Sequence, residues 1–386
     1  MPTYFDNNAT TPLDPRVREA MLPWLGEQFG NPSSIHGFGQ AAREAVEEAR
    51  AEVAALLGGL PAEVVFCASG TEANNAVLFG IARRAGGKGH LVISAIEHSS
   101  VREAVGRLES GGMEVTRVPP ERDGVVDARR MIDALRPDTV LGCLMLANNE
   151  LGTIQPVPEV AAAFRARGVP VLCDAVQGAG KITIDVRELG ADFVTVGAHK
   201  FHGPLGAAAL WVRRGEILEG FLVGGGQERR RRASTENVPA IVGLGKAAAL
   251  ARAELAARHE RLRALRDRFE AGLCSSVPQT VVHCASSARL PHTSNIAILG
   301  CDAQTLLIRL DLRGYAVSAG SACSSGAVEP SKTLQALGLP IEEARCSLRV
   351  SFGIENSEAE VDDFLEVLAE EVAALRGATV GAPLIL

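Results

Sequence analysis

Short apolar runs, each followed by a helix-period stretch and repeated along the first half of the chain, leave few folds open to this sequence. Runs at 64–69, 90–95 and 139–147 precede helical patterns that begin near Glu72, Val101 and Val157, and further runs begin at Val169, Ala191 and Gly206. Strands that are apolar almost throughout are buried on both faces, so the expected core is a mainly parallel sheet with helices above and below it. After the glycine-rich 224–228 stretch, an Ala/Arg/Leu/Glu-rich helical pattern runs from about Val238 to Gly272. Shorter units follow: strands at 280–285, 294–299, 315–319 and 346–352, and helices at 303–313 and 358–375. They read as a second, smaller α/β domain.

The chain has 386 residues, 47% of them apolar and 22% charged, which suffices for a large core and excludes a disordered polymer. A net charge of −7 argues against a general nucleic-acid binder, and the arginines at 229–232 form the one basic run. The eight cysteines include no Cys-x-x-Cys pair, and Cys67, Cys143 and Cys173 sit in apolar runs, where a thiol acts as a small hydrophobe. Met1-Pro-Thr-Tyr-Phe-Asp6 does not read as a basic stretch followed by an apolar run, and no apolar segment reaches membrane-spanning length. The expectation is a soluble protein of a reducing cytoplasm, without a disulfide framework.

The chemistry gathers at strand ends. Val194-Thr-Val-Gly-Ala-His-Lys200 is an apolar strand closing on an amine, and it breaks at once at Gly203 and Pro204. Val169-Pro-Val-Leu-Cys-Asp174 closes a second strand on an acid. A Schiff-base lysine and an acid for a pyridine nitrogen are the two contacts that pyridoxal phosphate (PLP) requires, and α/β proteins place their sites at strand C-termini. Ser69-Gly70-Thr71 joins a strand to a helix and offers N–H groups and a hydroxyl to a phosphate, with an ordinary capped turn as the alternative. His98 lies just past a strand, where an imidazole can stack on a flat cofactor and move protons or serve only as structure. Asn148, Asn149 and Glu150 end another strand, as site groups or as a turn. His199 and His202 lack further ligands at zinc spacing, so no metal is expected.

Cys323 sits in Ser318-Ala-Gly-Ser-Ala-Cys323-Ser-Ser-Gly-Ala-Val-Glu-Pro330, among residues too small to pack it as a core hydrophobe, so it reads as an accessible thiol on a loop. Arg349 interrupts an apolar strand, where a guanidinium suits an amino-acid carboxylate or a structural ion pair.

Together these segments resemble the cysteine desulfurases of the IscS/NifS type, in the class V aminotransferase group of fold-type I PLP enzymes. The similarity runs from Tyr4-Phe-Asp-Asn-Asn-Ala-Thr-Thr-Pro12 to about Gly353, through Phe29-Gly-Asn-Pro-Ser-Ser34, Glu97-His98 and Asp174-Ala-Val-Gln177. The resemblance implies a large domain at 14–255 with a seven-stranded sheet, and a small domain at 1–13 and 256–386 carrying the cysteine loop. It implies that Lys200 holds PLP, Asp174 pairs with the ring nitrogen, Gln177 faces the ring hydroxyl, and His98 stacks on the ring. Gly70, Thr71 and His199 would hold the phosphate, and Thr235 would reach the phosphate of the neighbouring subunit in a homodimer. Asn149 and Arg349 would orient the substrate, with Asn31 nearby and Asn149 also beside the cofactor.

The implied reaction turns L-cysteine into L-alanine and leaves a persulfide on Cys323. That sulfur would pass to acceptor proteins such as an iron–sulfur scaffold, with a transient iron–sulfur cluster contact at Cys323, or on to tRNA thiolation. Gly197 departs from the usual serine, and Ser69 replaces a frequent glycine. An aminotransferase or lyase of the same fold that ignores Cys323, a selenocysteine lyase, and a PLP-retaining carrier subunit are the rival readings.

Overall fold

The computed structural model describes residues 2–319 and 331–380. Twelve strands are formed among the described residues: β1 Thr3–Tyr4, β2 Val64–Cys67, β3 His90–Ser94, β4 Glu114–Val118, β5 Thr139–Cys143, β6 Val171–Asp174, β7 Phe193–Gly197, β8 Ala208–Val212, β9 Thr280–Val282, β10 Thr293–Ile298, β11 Tyr315–Ala316 and β12 Ser347–Ser351. Seven of them make one sheet in the order β2-β8-β7-β6-β5-β3-β4. β8 runs antiparallel to both its neighbours, and the other pairings in this sheet are parallel. The large domain expected from the alternating runs is thus present, with one reversed strand.

Side-chain alternation divides these strands between two cores. Val64, Phe66, Val92 and Val194 face one apolar cluster, whereas Val65, Cys67, Leu91, Ile93 and Phe193 face another on the opposite side. Both faces are covered, which is why the strands lack a polar face. Cys67, Cys143 and Cys173 are buried and free, and burial drives their thiol pKa values up, so they are inert packing groups.

The helix Val238–Ser276 connects the two parts of the molecule. Ile241, Leu244 and Ala251 belong to the core beside the large sheet, while Leu262, Leu265, Phe269 and Leu273 belong to a third cluster with Phe352 and Phe364. That third cluster covers the antiparallel sheet β9-β10-β12. Phe5 packs into it, with its ring 5.3 Å from Phe352 and 5.2 Å from Phe364. The N-terminal segment is therefore fastened to the small domain: β1 pairs with β11, and Asp6 bridges to Ser351. Among the described residues no helix is long and apolar enough to cross a membrane.

Candidate active site

The C-terminal ends of β3, β5, β6 and β7 deliver His98, Asn149, Asp174 and Lys200 to one edge of the large sheet. Lys200 closes the single turn Ala198–Lys200 that follows β7. Its Nζ donates to the Asn8 carbonyl at 2.6 Å and to the Ala9 carbonyl at 2.7 Å. Burial and the nearby Arg349 cation, opposed by Asp174 and Asp6, bring its pKa down to about 8. A larger share of the amine is thus free near neutral pH than for an exposed lysine.

Asp174 is buried at the end of β6. Its Oδ2 accepts from Asn74 Nδ2 at 2.7 Å and its Oδ1 from the Val176 N–H at 3.0 Å. Asn74 also donates to Ser100 Oγ at 2.9 Å, and Ser100 Oγ lies 2.8 Å from His98 Nδ1. The Ser100 N–H donates to the same Nδ1 at 3.1 Å. A backbone N–H can only donate, so Nδ1 is the acceptor and neutral His98 carries its proton on Nε2. His98 opens onto solvent, yet the protein packed around it lowers its basicity despite the attraction of Asp174. Behind it, buried Glu97 accepts from Ser94 Oγ at 2.6 Å and from the Met145 N–H at 2.9 Å, and burial raises its pKa to about 7.

Ser69, rather than Thr71, caps the helix Gly70–Arg84, with its hydroxyl accepting from the Glu72 N–H. Thr71 is exposed in the first turn. His199 places Nδ1 3.1 Å from Thr10 Oγ1, and burial with the neighbouring Lys200 and Lys181 holds its pKa down at about 4, so it is neutral. Gln177 donates to the Asn8 carbonyl at 2.9 Å.

Arg349 on β12 shows the ion pair that its position in an apolar strand left open. Nη2 meets Asp6 Oδ1 at 2.7 Å, Nη1 donates to the Asn149 carbonyl at 2.9 Å, and Nε is buried with no partner. Asn31 and Thr235 make none of these contacts: both are exposed, and Asn31 Oδ1 accepts from the Ser33 N–H. Cys323 lies outside the described residues. The described residues flanking its segment do meet this cluster. Ser318 pairs with Arg349 through both backbone groups, and the Ser331 hydroxyl donates to Glu150, next to Asn149.

Asp6, Asn8, Asn74 and Ser100 carry much of this network without having been singled out in the sequence. Each lies within a segment that the resemblance covers, and the polar Asp6-Asn-Asn8 directly after Tyr4-Phe5 was the available signal.

The residues fit PLP. A half-buried amine of lowered pKa and a buried carboxylate lie at adjacent strand ends. The nearby helix starts at Gly70, whose lack of a side chain lets the backbone lie close against Val176; a Cβ would come within 2.9 Å of Val176 Cγ2. Gln177 Oε1, Asn74 Oδ1 and Thr195 Oγ1 are buried without partners, as polar atoms awaiting a polar ligand are.

Fold and cluster together define an α/β enzyme scaffold of the lysine-bearing, fold-type I class. The aminotransferase class-V family model matches residues 3–364. A cysteine desulfurase IscS of Dictyoglomus turgidum is 42% identical over 374 residues, covering 97% of this chain and 95% of that one. Among solved structures, a NifS-like protein superposes with a TM-score of 0.91 at 35% identity, covering 97% of this chain and all of the other. SspA in complex with cysteine gives 0.80 at 34% identity, over 91% and 98% of the two chains. The chain belongs to the class-V aminotransferase family, in its IscS/NifS-like cysteine desulfurase branch.

Proposed function

We propose that the protein takes sulfur from L-cysteine, releases L-alanine and carries the sulfur as a persulfide on Cys323 to acceptor proteins. The observation that carries this reading is the convergence of Lys200, Asp174, His98 and Arg349 at one sheet edge, with the residues flanking the Cys323 segment hydrogen-bonded to Arg349 and Glu150. A relative of the same fold has been solved with cysteine bound. When bound, PLP supplies an electron sink for the substrate α-carbon. Lys200 Nζ would hold the cofactor and then accept the α-proton. Asp174 would keep the ring nitrogen protonated, as a buried carboxylate does for a cation. Neutral His98 would lie against the ring with its Nε2 proton available. Gly70, Thr71 and His199 would take the phosphate, Gln177 the ring hydroxyl, and Asn149 and Arg349 the substrate.

The Cys323 thiolate would attack the substrate sulfur: an S–S bond forms, the C–S bond breaks, and its electron pair and a proton end on the carbon that becomes the alanine methyl group. We take 14–255 as the cofactor domain and 1–13 with 256–386 as the domain bearing Cys323, supported by the change of core along the helix Val238–Ser276 and by Phe5 packing with Phe352. The working unit would be a cytoplasmic homodimer in which Asn31 and Thr235 face the neighbouring subunit. Iron–sulfur assembly or tRNA thiolation would be the destination of the sulfur.

The test is Cys323→Ala. The variant should bind PLP as the parent does yet form no persulfide and almost no alanine from L-cysteine. Mass spectrometry of the parent after cysteine treatment should find one added sulfur on the Cys323 peptide and none on those of Cys301 or Cys346. An active alanine variant would instead favour a transaminase or lyase.

A further inference from the structure

Arg349 already holds a carboxylate, that of Asp6. The pair is well shielded, with 4% of the arginine side chain and 19% of the aspartate side chain exposed. Asp6 is fixed from several directions. Its backbone bridges to Ser351, two residues along the strand from Arg349, and the Tyr4 hydroxyl donates to the carbonyls of Asp6 and Thr10. The same short segment supplies the Asn8 and Ala9 carbonyls that hold Lys200. Asn8 Nδ2 also donates to the Asn149 carbonyl, which Arg349 Nη1 shares. One strap from Asp6 to Thr10 thus occupies both functional cations. Arg349 keeps one buried donor, Nε, without a partner. A guanidinium with five N–H groups can meet a second carboxylate only at the expense of the first or beside it, and two carboxylates on one guanidinium repel.

We propose that Asp6 is a specificity-setting carboxylate, an internal competitor that any carboxylate ligand of Arg349 must displace or tolerate. It lowers the affinity of every carboxylate alike, so only a ligand with a second anchor clears the threshold. An α-amino acid has that anchor in its amine, and a plain carboxylic acid does not. The inference rests on the proposed role of Arg349 as holder of the substrate carboxylate.

The experiment uses purified holoenzyme and propionate, which is cysteine without its amine and thiol. Its affinity is read by ligand-observed NMR titration in the parent, Asp6→Asn, Asp6→Glu and the double variant Asp6→Asn/Arg349→Gln, each checked for folding by its unfolding midpoint. Asp6→Asn should bind propionate about tenfold more tightly, the scale of one charge-assisted hydrogen bond. KM for L-cysteine should fall with it. Asp6→Glu should restore parental behaviour, and the double variant should lose the gained affinity. Tightening that survives in the double variant would place the carboxylate elsewhere and overturn the role of Arg349. Propionate affinity that is unchanged or weaker in Asp6→Asn, with Arg349 still required for L-cysteine binding, would leave that role standing and overturn the one assigned to Asp6.

Discussion

Lys200 must lose a proton before it can bond to an aldehyde, and its surroundings set the pH at which it does so. Burial is the largest influence, Arg349 adds to it, and Asp174 and Asp6 act against it, with a pKa of about 8 as the result. Loading of PLP onto cofactor-free protein should therefore speed up with rising pH and level off above about 8, followed as the growth of visible absorbance after mixing; a rate that stays flat from about pH 6.5 to 9 would contradict this. Gly197 offers a second test. A Cβ there would touch Val176 at 3.5 Å and His199 at 3.7 Å, which is ordinary contact, and the backbone is extended. Gly197→Ser should fold unchanged and release PLP several-fold more slowly by restoring a hydroxyl beside His199. An equal or faster release would show that Ser69 or the backbone already suffices. Lys200 and Asp174 were legible in the sequence because a strand's end fixes where its last residue lies. Asn74 and Asp6 were not, since their partners come from 100 and 343 positions away.

Among the elements, buried apolar strands announced themselves and one-sided ones did not. β2, β3 and β5 begin where the apolar runs begin, and the helix Val238–Ser276 starts at the expected residue. β4, Glu114–Val118, carries exposed Glu114 and Arg117 at the sheet edge, so no apolar run marks it. The turn before Thr235 was also illegible. Glu228, Arg229 and Arg230 adopt φ of 44°, 56° and 65°, a left-handed conformation that side chains disfavour. A buried ion pair holds it: Arg50 on the helix Gly37–Leu57 meets both Glu228 oxygens at 2.7 and 2.8 Å, and Glu228 also accepts from the Phe66 N–H on β2. Removing one partner strands a buried charge, so Glu228→Gln should cost about 3 kcal/mol in urea unfolding. A loss within about 0.5 kcal/mol would mean that the pair does not hold this turn.

At the scale of the whole molecule, one run of exposed apolar residues stands close together in the chain, while others such as Ile308, Leu312 and Ile341 lie far from it. Leu22, Leu25, Phe29, Ile35 and Phe38 fall within one short stretch, with Ile35 90% and Phe29 65% exposed. Phe29 and Phe38 stack at 5.0 Å and so present one apolar face. Leu205, just beyond Lys200, and Val223, before the turn that leads to Thr235, are 72% and 89% exposed. Clustered residues of this size are unfavourable in water and mark an interaction surface. Asn31 lies inside the first stretch and Thr235 shortly after the turn, and both take no part in the intrachain cluster. A second copy seated on this surface would cover the apolar face and bring those two residues to the neighbouring site, which a two-fold dimer does for both sites at once. The protein is thus expected to sediment as a dimer. Phe29→Ser with Ile35→Asp should yield monomers with an unchanged circular dichroism spectrum and clearly weaker PLP retention, because Thr235 is withdrawn from the partner's phosphate. Monomers that hold PLP as tightly as the dimer would separate the surface from the site and refute the shared phosphate contact.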